Sequence, residues 1–313
     1  MATVAKYPPG FSQFRWWYWL PVSIAIIPST ILYMRLALTS KKNVKHIFAI
    51  EMTFNLCLIY LYLLGQFVVK DQPQGGDILI STNGTFFPKF YYYGTVYFYF
   101  HVQVWQVIAN SIYRCITVSQ PPNSKLRQNL DKFPVPVIFL LNFLVPFVLV
   151  FRQFFQDETK FIEKNGSVAV YSPPHVIQSN ATQAIIVSSI GSTICLTCYV
   201  IILRYMLRIK NYFKLKEKRL ERKNALMGFS YFICLCFMTA YYFVIWFAAR
   251  SNNEDLVLIM RHAYIIPAMM LTFVNPWMLT LRRNIRQSVL GKNVPVPAIS
   301  TSQPTVQEAT SRF

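Results

Sequence analysis

Charge is what this chain has little of. Only 14% of its 313 residues are Asp, Glu, Lys or Arg, and just 12 are acidic, where a soluble domain carries about 25% charged residues. That deficit excludes an ordinary water-facing surface. Cysteine gives no framework either. Cys57, Cys115, Cys195, Cys198, Cys234 and Cys236 all sit in or beside apolar segments, so a disulfide scaffold is not expected. Cys195 and Cys198 form a CxxC, but "GSTICLTCYVIIL" lacks the polar surroundings that zinc or redox work needs. The chain has no HExxH, no Walker loop and no GxSxG, and His46, His101, His175 and His262 lack metal-ligand spacing. No enzyme activity, cofactor or metal is expected. A selectivity-filter loop and inverted repeats are missing too.

What the chain has instead is apolar length. Hydrophobic residues make up 54%, with 26 Phe and 19 Tyr, and the mean hydropathy is +0.34. A membrane span needs about 20 mostly apolar residues. Seven segments qualify: 16–37, 47–69, 90–116, 133–151, 184–206, 225–249 and 256–281. The expected fold is all-α, a seven-helix transmembrane bundle over 16–291. Residues 1–15 form an outside N-terminus, and 292–313, rich in Pro, Ser and Thr, form a disordered cytoplasmic tail. The first span reads as a retained signal anchor. A soluble bundle is the weaker reading, because "AIIVSSIGSTICLTCYVIIL" has no charged face for water.

Orientation follows from the basic residues. Only Lys6, Arg15, Lys70, Lys89, Arg152, Lys160, Lys164, Arg250 and Arg261 of the 31 fall on one side. The richer side should be cytoplasmic. The net charge of +19 is then a matter of anionic lipid rather than nucleic acid. Sequons at Asn83, Asn165 and Asn180 all lie on the expected outer side, which makes them N-glycosylation candidates. The basic stretch "RIKNYFKLKEKRLERKN" (208–224) is expected to extend the fifth and sixth helices into the cytoplasm. There it is either ordinary positive-inside charge or an added contact surface for a cytoplasmic partner.

Polar groups at membrane depth are costly, so each is a candidate site. In the third span Tyr99, Gln103, Gln106, Asn110 and Arg114 recur every three or four residues, which puts them on one helix face. They serve either interhelical hydrogen bonds or a ligand and a switch. Arg114 lies about 36 Å of helix beyond Phe90, past a hydrocarbon core of roughly 30 Å. It therefore belongs at the inner mouth. Glu51, with Asn55 one turn on, is near the same membrane face. It either pairs with a basic group, Arg114 being a candidate, or takes a proton. Asn275 precedes Pro276 near the inner end of the last span, and a short amphipathic helix with Arg282, Arg283 and Arg286 is expected after it. Toward the outer end, Tyr92, Tyr97, Tyr99, His101, Gln103, Trp105, Gln106, Trp246, His262 and Tyr264 are candidates to hold a small amphipathic ligand. An interfacial aromatic belt is the alternative for the tyrosines.

The segments "NSIYRCITV", the basic fifth-to-sixth loop and "NPWMLTLRRNIRQSVLG" together resemble G-protein-coupled receptors. Within these the chain resembles the nematode serpentine chemoreceptors of the gamma/U/V group, over roughly 16–291. The resemblance implies a multi-pass plasma-membrane receptor, the sensory cilium included as a location. Such a receptor turns an external small-molecule cue into activation of a heterotrimeric G protein. Arg114 matches the arginine at the inner end of the third helix. Tyr113 stands where an acidic residue precedes that arginine in the rhodopsin-like pattern, and Asn110 lies one turn above. Asn275 and Pro276 match the start of the seventh-helix motif, but Leu279 and Thr280 stand where a tyrosine is expected. Trp246 has no following proline, and the outer cysteine of the third helix is missing. A population shift on ligand binding would open the inner mouth around Arg114. A seven-helix transporter or channel is the alternative function.

Overall fold

Apolar runs that lose water must satisfy their backbone within themselves, which favours helices. The computed structural model describes residues 25–35, 46–65, 73–120, 124–131, 134–156, 158–164, 167–208 and 215–279. Most of these are helical. Helix α1 covers 25–35. It is followed by α2 (His46–Leu64), α3 (Pro73–Ser81), α4 (Phe86–Tyr92), a π-helical turn (Tyr93–Phe98) and α5 (Tyr99–Ser119). Then come α6 (Lys125–Asp131), α7 (Val135–Val150), a 3-10 turn (Phe151–Phe155) and a hairpin of β1 (Lys160–Lys164) and β2 (Ser167–Tyr171). The chain continues through α8 (Pro174–Arg208), α9 (Leu215–Arg250), α10 (Glu254–Ala263) and α11 (Ile265–Leu279). The residues expected to form the N-terminal segment, the amphipathic helix after Pro276 and the tail lie outside the described set.

Among the described residues, four helical stretches are long and apolar enough to cross a membrane: Pro136–Phe155, Pro174–Leu207, Phe229–Arg250 and Glu254–Val274. The molecule is a multi-pass membrane helical bundle. Its exposure pattern is the reverse of a water-soluble protein. Phe139, Leu140, Phe143, Leu144 and Val148 on α7 face outward, as do Phe229, Ile233, Phe237 and Phe247 on α9. Gln103, Gln106, Asn110, Ser111, Asn142, Ser188 and Thr272 are turned inward and buried. Lipid leaves no hydrophobic drive between such helices, so close packing and interhelical hydrogen bonds hold them.

Those bonds are explicit. Trp277 Nε1 on α11 donates to Ser29 Oγ on α1 at 2.8 Å, and Thr30 meets Tyr60 of α2 at 2.8 Å. Thr239 on α9 donates to Ser188 on α8 at 2.9 Å. Ser111 on α5 meets Cys195 Sγ on α8 at 3.2 Å. Gly191 lets α8 approach α5 closely, since a Cβ there would stand 3.0 Å from Val104 Cγ1. All six cysteines are free.

Five elements differ from the sequence expectation. The third span begins at Phe86 rather than 90 and widens into the π turn at Tyr93–Phe98 before α5 starts. The loop after α7 contains an antiparallel hairpin in register Lys160↔Tyr171 through Lys164↔Ser167, a small β addition to the all-α bundle. The last span is broken at Tyr264 between α10 and α11. Pro267 sits three residues past the break, and its ring removes a backbone donor from the turn. The fifth helix starts at Pro174, ten residues before the expected 184, and reaches Arg208. That makes it about 52 Å long. Helix α9 likewise begins well ahead of 225, at Leu215, within the basic stretch.

Candidate functional site

The end of the bundle that carries the hairpin is built by local signals. Asn252 adopts φ 51°, the left-handed conformation that ends α9, and Asn253 N–H returns to Ala248 O at 2.9 Å, the pattern of a Schellman stop. The Asn253 side chain then caps α10 by accepting from Leu256 N–H at 3.0 Å. Glu254 and Asp255 occupy the first turn of α10, Arg261 and His262 the last, which matches the helix dipole. This short, well-capped helix delivers Arg261 and His262 to the bundle beneath the hairpin.

The hairpin is held from both edges. Asn83, just after α3, donates from Nδ2 to Phe161 O at 2.6 Å and accepts from Phe161 N–H at 2.9 Å. One side-chain amide thus pairs with β1 as a strand residue would. On the other edge, Arg261 Nη1 donates to Val170 O of β2. The foot of the hairpin rests on a buried polar chain. Tyr93 OH contacts Thr159 Oγ1 at 2.7 Å and donates to Gln156 Oε1 at 2.9 Å. Thr159 meets Ser172 at 3.0 Å. Gln156 and Asn180 exchange amide hydrogen bonds at 3.2 and 3.0 Å.

Beneath the hairpin lies a cavity of about 50 Å³, room for a few water molecules. Its wall is largely tyrosine: Tyr62 from α2, Tyr91, Tyr92 and Tyr97 from the third span, and Tyr241, Tyr242 and Tyr264 from the last two. Phe161, Ala169 and Val170 roof it, and Arg261 and His262 close one side. The rings pack edge to face or tilted, with Tyr62 and Tyr264 centroids 5.7 Å apart, Tyr92 and Tyr97 5.9 Å, and Tyr241 and Tyr242 5.1 Å. The Arg261 guanidinium lies over the Tyr92 ring, 5.9 Å from its centroid.

The sequence candidates divide around this cavity. His262 and Tyr264 line it, with Tyr92 and Tyr97. Tyr99, Gln103 and Gln106 do not. Tyr99 OH bonds Thr272 Oγ1 on α11, and Gln103 Nε2 donates to Ala268 O at 2.7 Å and Thr272 Oγ1 at 2.8 Å. Gln106 Oε1 accepts from Asn55 Nδ2 on α2. The upper polar stripe therefore rivets α5 to α11 and α2. His101 is fully buried between the helices, with Nδ1 on Tyr97 O at 2.7 Å. Trp246 stacks on the outward-facing Phe243 and sits under Arg250 at 5.2 Å, away from the cavity. Sequence reasoning missed Tyr62, Tyr91, Tyr241, Tyr242, Arg261 and the hairpin roof. Arg261 and the Tyr241–Tyr242 pair were visible as a charge and an aromatic doublet, but nothing in their spacing said they converge.

At the far end of α5, Asn110 and Tyr113 are buried and Arg114 is half-buried. The Arg114 guanidinium lies 5.5 Å from the centroid of Tyr231 on α9, and the Tyr199 hydroxyl of α8 is beside it. Aromatic rings on two helices thus flank this cation. Asn275 and Pro276 lie in α11 and Glu51 in α2, but their side chains are outside the described set, as is Asn165. Asn83 and Asn180 have their amides bonded as given above. Among the described residues no cluster of His, Cys, Asp or Glu has the geometry of a metal site.

No curated protein matches the chain. The family model described as "Serpentine type 7TM GPCR chemoreceptor Srv" matches residues 23–293, which takes in the cavity, the riveted polar stripe and the Arg114 end alike. The chain belongs to the Srv-type serpentine chemoreceptor family.

Proposed function

We propose that this chain is a seven-span chemosensory receptor, N-terminus outside and C-terminus in the cytoplasm. On this reading it couples an external small-molecule cue to a heterotrimeric G protein. One observation carries this reading beyond the family. A single helical run has the tyrosine cavity at one end and Arg114 at the other, flanked by Tyr199 and Tyr231. Tyr97 and Arg114 are 17 positions apart, about 25 Å of helix. A ligand that packs against Tyr92 and Tyr97 bears on the same element that holds Arg114.

The chemistry at each end suits its part. The cavity has an aromatic body and a few polar groups, as small-molecule sites do. At the inner end the Arg114 guanidinium lies over the Tyr231 ring, a cation–π contact worth about 0.5–2 kcal/mol that contributes to the resting grip. A cue that favours a bundle with α8 and α9 displaced would release Arg114 toward a G-protein helix. Differential affinity of a few kcal/mol is enough to shift such an equilibrium.

The experiment is expression with a panel of Gα subunits and a library of volatile and water-soluble cues. Epitopes at each terminus would be read in intact and permeabilised cells. Cue-dependent nucleotide exchange, an accessible N-terminus and a shielded C-terminus are the expected results. Flux or current that survives removal of Gα would make the chain a transporter or channel instead.

A further inference from the structure

We propose that the tyrosine cavity takes a small organic anion. Its carboxylate sits on Arg261, and its apolar body lies against the tyrosine rings. The inference rests on reading this cavity as the cue site.

Three observations point to an anion. Arg261 has five N–H donors, and its hydrogen bonding within the described structure is the single bond to Val170 O. No Asp or Glu lines the tyrosine cavity. Glu254 lines a neighbouring cavity that shares Arg261 in its wall, but it stands seven residues away, about 10 Å along α10. Second, a cage of tyrosines alone would suit a cation. Here the guanidinium already lies over the Tyr92 ring, so a cationic ligand would meet like charge. Third, Tyr242 lines the cavity at 2% exposure, and its hydroxyl has no hydrogen-bond partner among the described residues. A buried hydroxyl without a partner is costly, and a ligand oxygen would satisfy it. Arg261 also clamps the hairpin roof. An anion that engages the guanidinium therefore strengthens or competes with the contact that keeps the cavity covered. The small volume favours short acids over long-chain ones.

The test uses the full-length chain in lipid nanodiscs and reads ligand-induced shifts in Tm. The probes are acetate and propionate, their neutral amides, and ethylamine and propylamine. The expected result is half-maximal stabilisation by the acids at a concentration at least tenfold below that of the amides, with no stabilisation by the amines. Arg261→Gln should erase the difference between acid and amide, and Tyr242→Phe should weaken the acids severalfold. The comparison among probes on the unaltered protein holds even if Arg261→Gln loosens the hairpin and fails to fold. Amides or amines that equal the acids would overturn the proposal, as would no shift with any probe at millimolar concentration or an acid preference that survives Arg261→Gln. Nucleotide exchange is not read here, so acid binding by a receptor silent toward every Gα would sustain this inference while defeating the signalling proposal. A receptor that signals to neutral cues and ignores acids would do the reverse.

Discussion

Asn180 opens an Asn-Ala-Thr sequon, yet in the fold it is 4% exposed and exchanges two amide hydrogen bonds with Gln156. The nitrogen that would carry a sugar is already a donor inside the polar chain under the hairpin. Asn180→Gln should therefore leave electrophoretic mobility, with and without glycosidase, the same as that of the parent. It should also lower stability by about 1–3 kcal/mol, the cost of leaving buried partners unmet. A mobility shift specific to Asn180 would contradict the placement. Arg114 makes the companion case. Tyr231→Ala removes the ring under the guanidinium, and losing about 1 kcal/mol of cation–π attraction should raise basal nucleotide exchange about fivefold. Unchanged basal exchange, with normal surface expression, would show that this contact does not hold the resting form. The sequence made both residues conspicuous but could not give their partners. Tyr199 and Tyr231 lie 85 and 117 positions beyond Arg114, and only the packing of α8 and α9 brings them there.

At the scale of elements, the hairpin is the most instructive. "KFIEKNGSVAVY" holds two short β-prone runs around Asn165-Gly166, a strong two-residue hairpin signal. Reading Asn165 only as a sequon hid it. The roof of the candidate cavity was thus legible in principle. Its attachment was not, because Asn83 and Arg261 reach it from loops and helices remote in the chain. Asn83→Ala should unhook β1, costing about 1–3 kcal/mol, and should speed limited proteolysis between α7 and α8. Proteolysis at the parental rate would show the roof is held without it. The π turn was illegible for another reason. Hydropathy cannot register one extra residue per turn, and "YGTVYF" is apolar in either geometry. The helices themselves were plain from apolar length, and the close α5–α8 crossing follows from Gly191. Gly191→Val should cost about 1–3 kcal/mol by overpacking against Val104 and Ile108, seen as a lower Tm in nanodiscs.

For the whole molecule, composition alone led to a multi-pass helical membrane protein, and three short segments led to the chemoreceptor family that the chain belongs to. The polar stripe of the third span was also legible as one face. Its use was not, since a glutamine aimed at a ligand and one aimed at a neighbouring helix look alike in sequence. In the fold, Tyr99 and Gln103 engage Thr272, and Gln106 engages Asn55, so α5 is fixed to two helices between the cavity and Arg114. That arrangement gives the central claim its physical form: a rigid element whose two ends face a cue and a G protein. Nucleotide exchange on purified Gα by the receptor in otherwise protein-free vesicles tests it most directly. The account predicts exchange that rises with the cue, is lost in Arg114→Ala, and occurs without ion or solute flux. Cue-dependent flux in vesicles lacking Gα, with exchange unaffected by the cue, would contradict it.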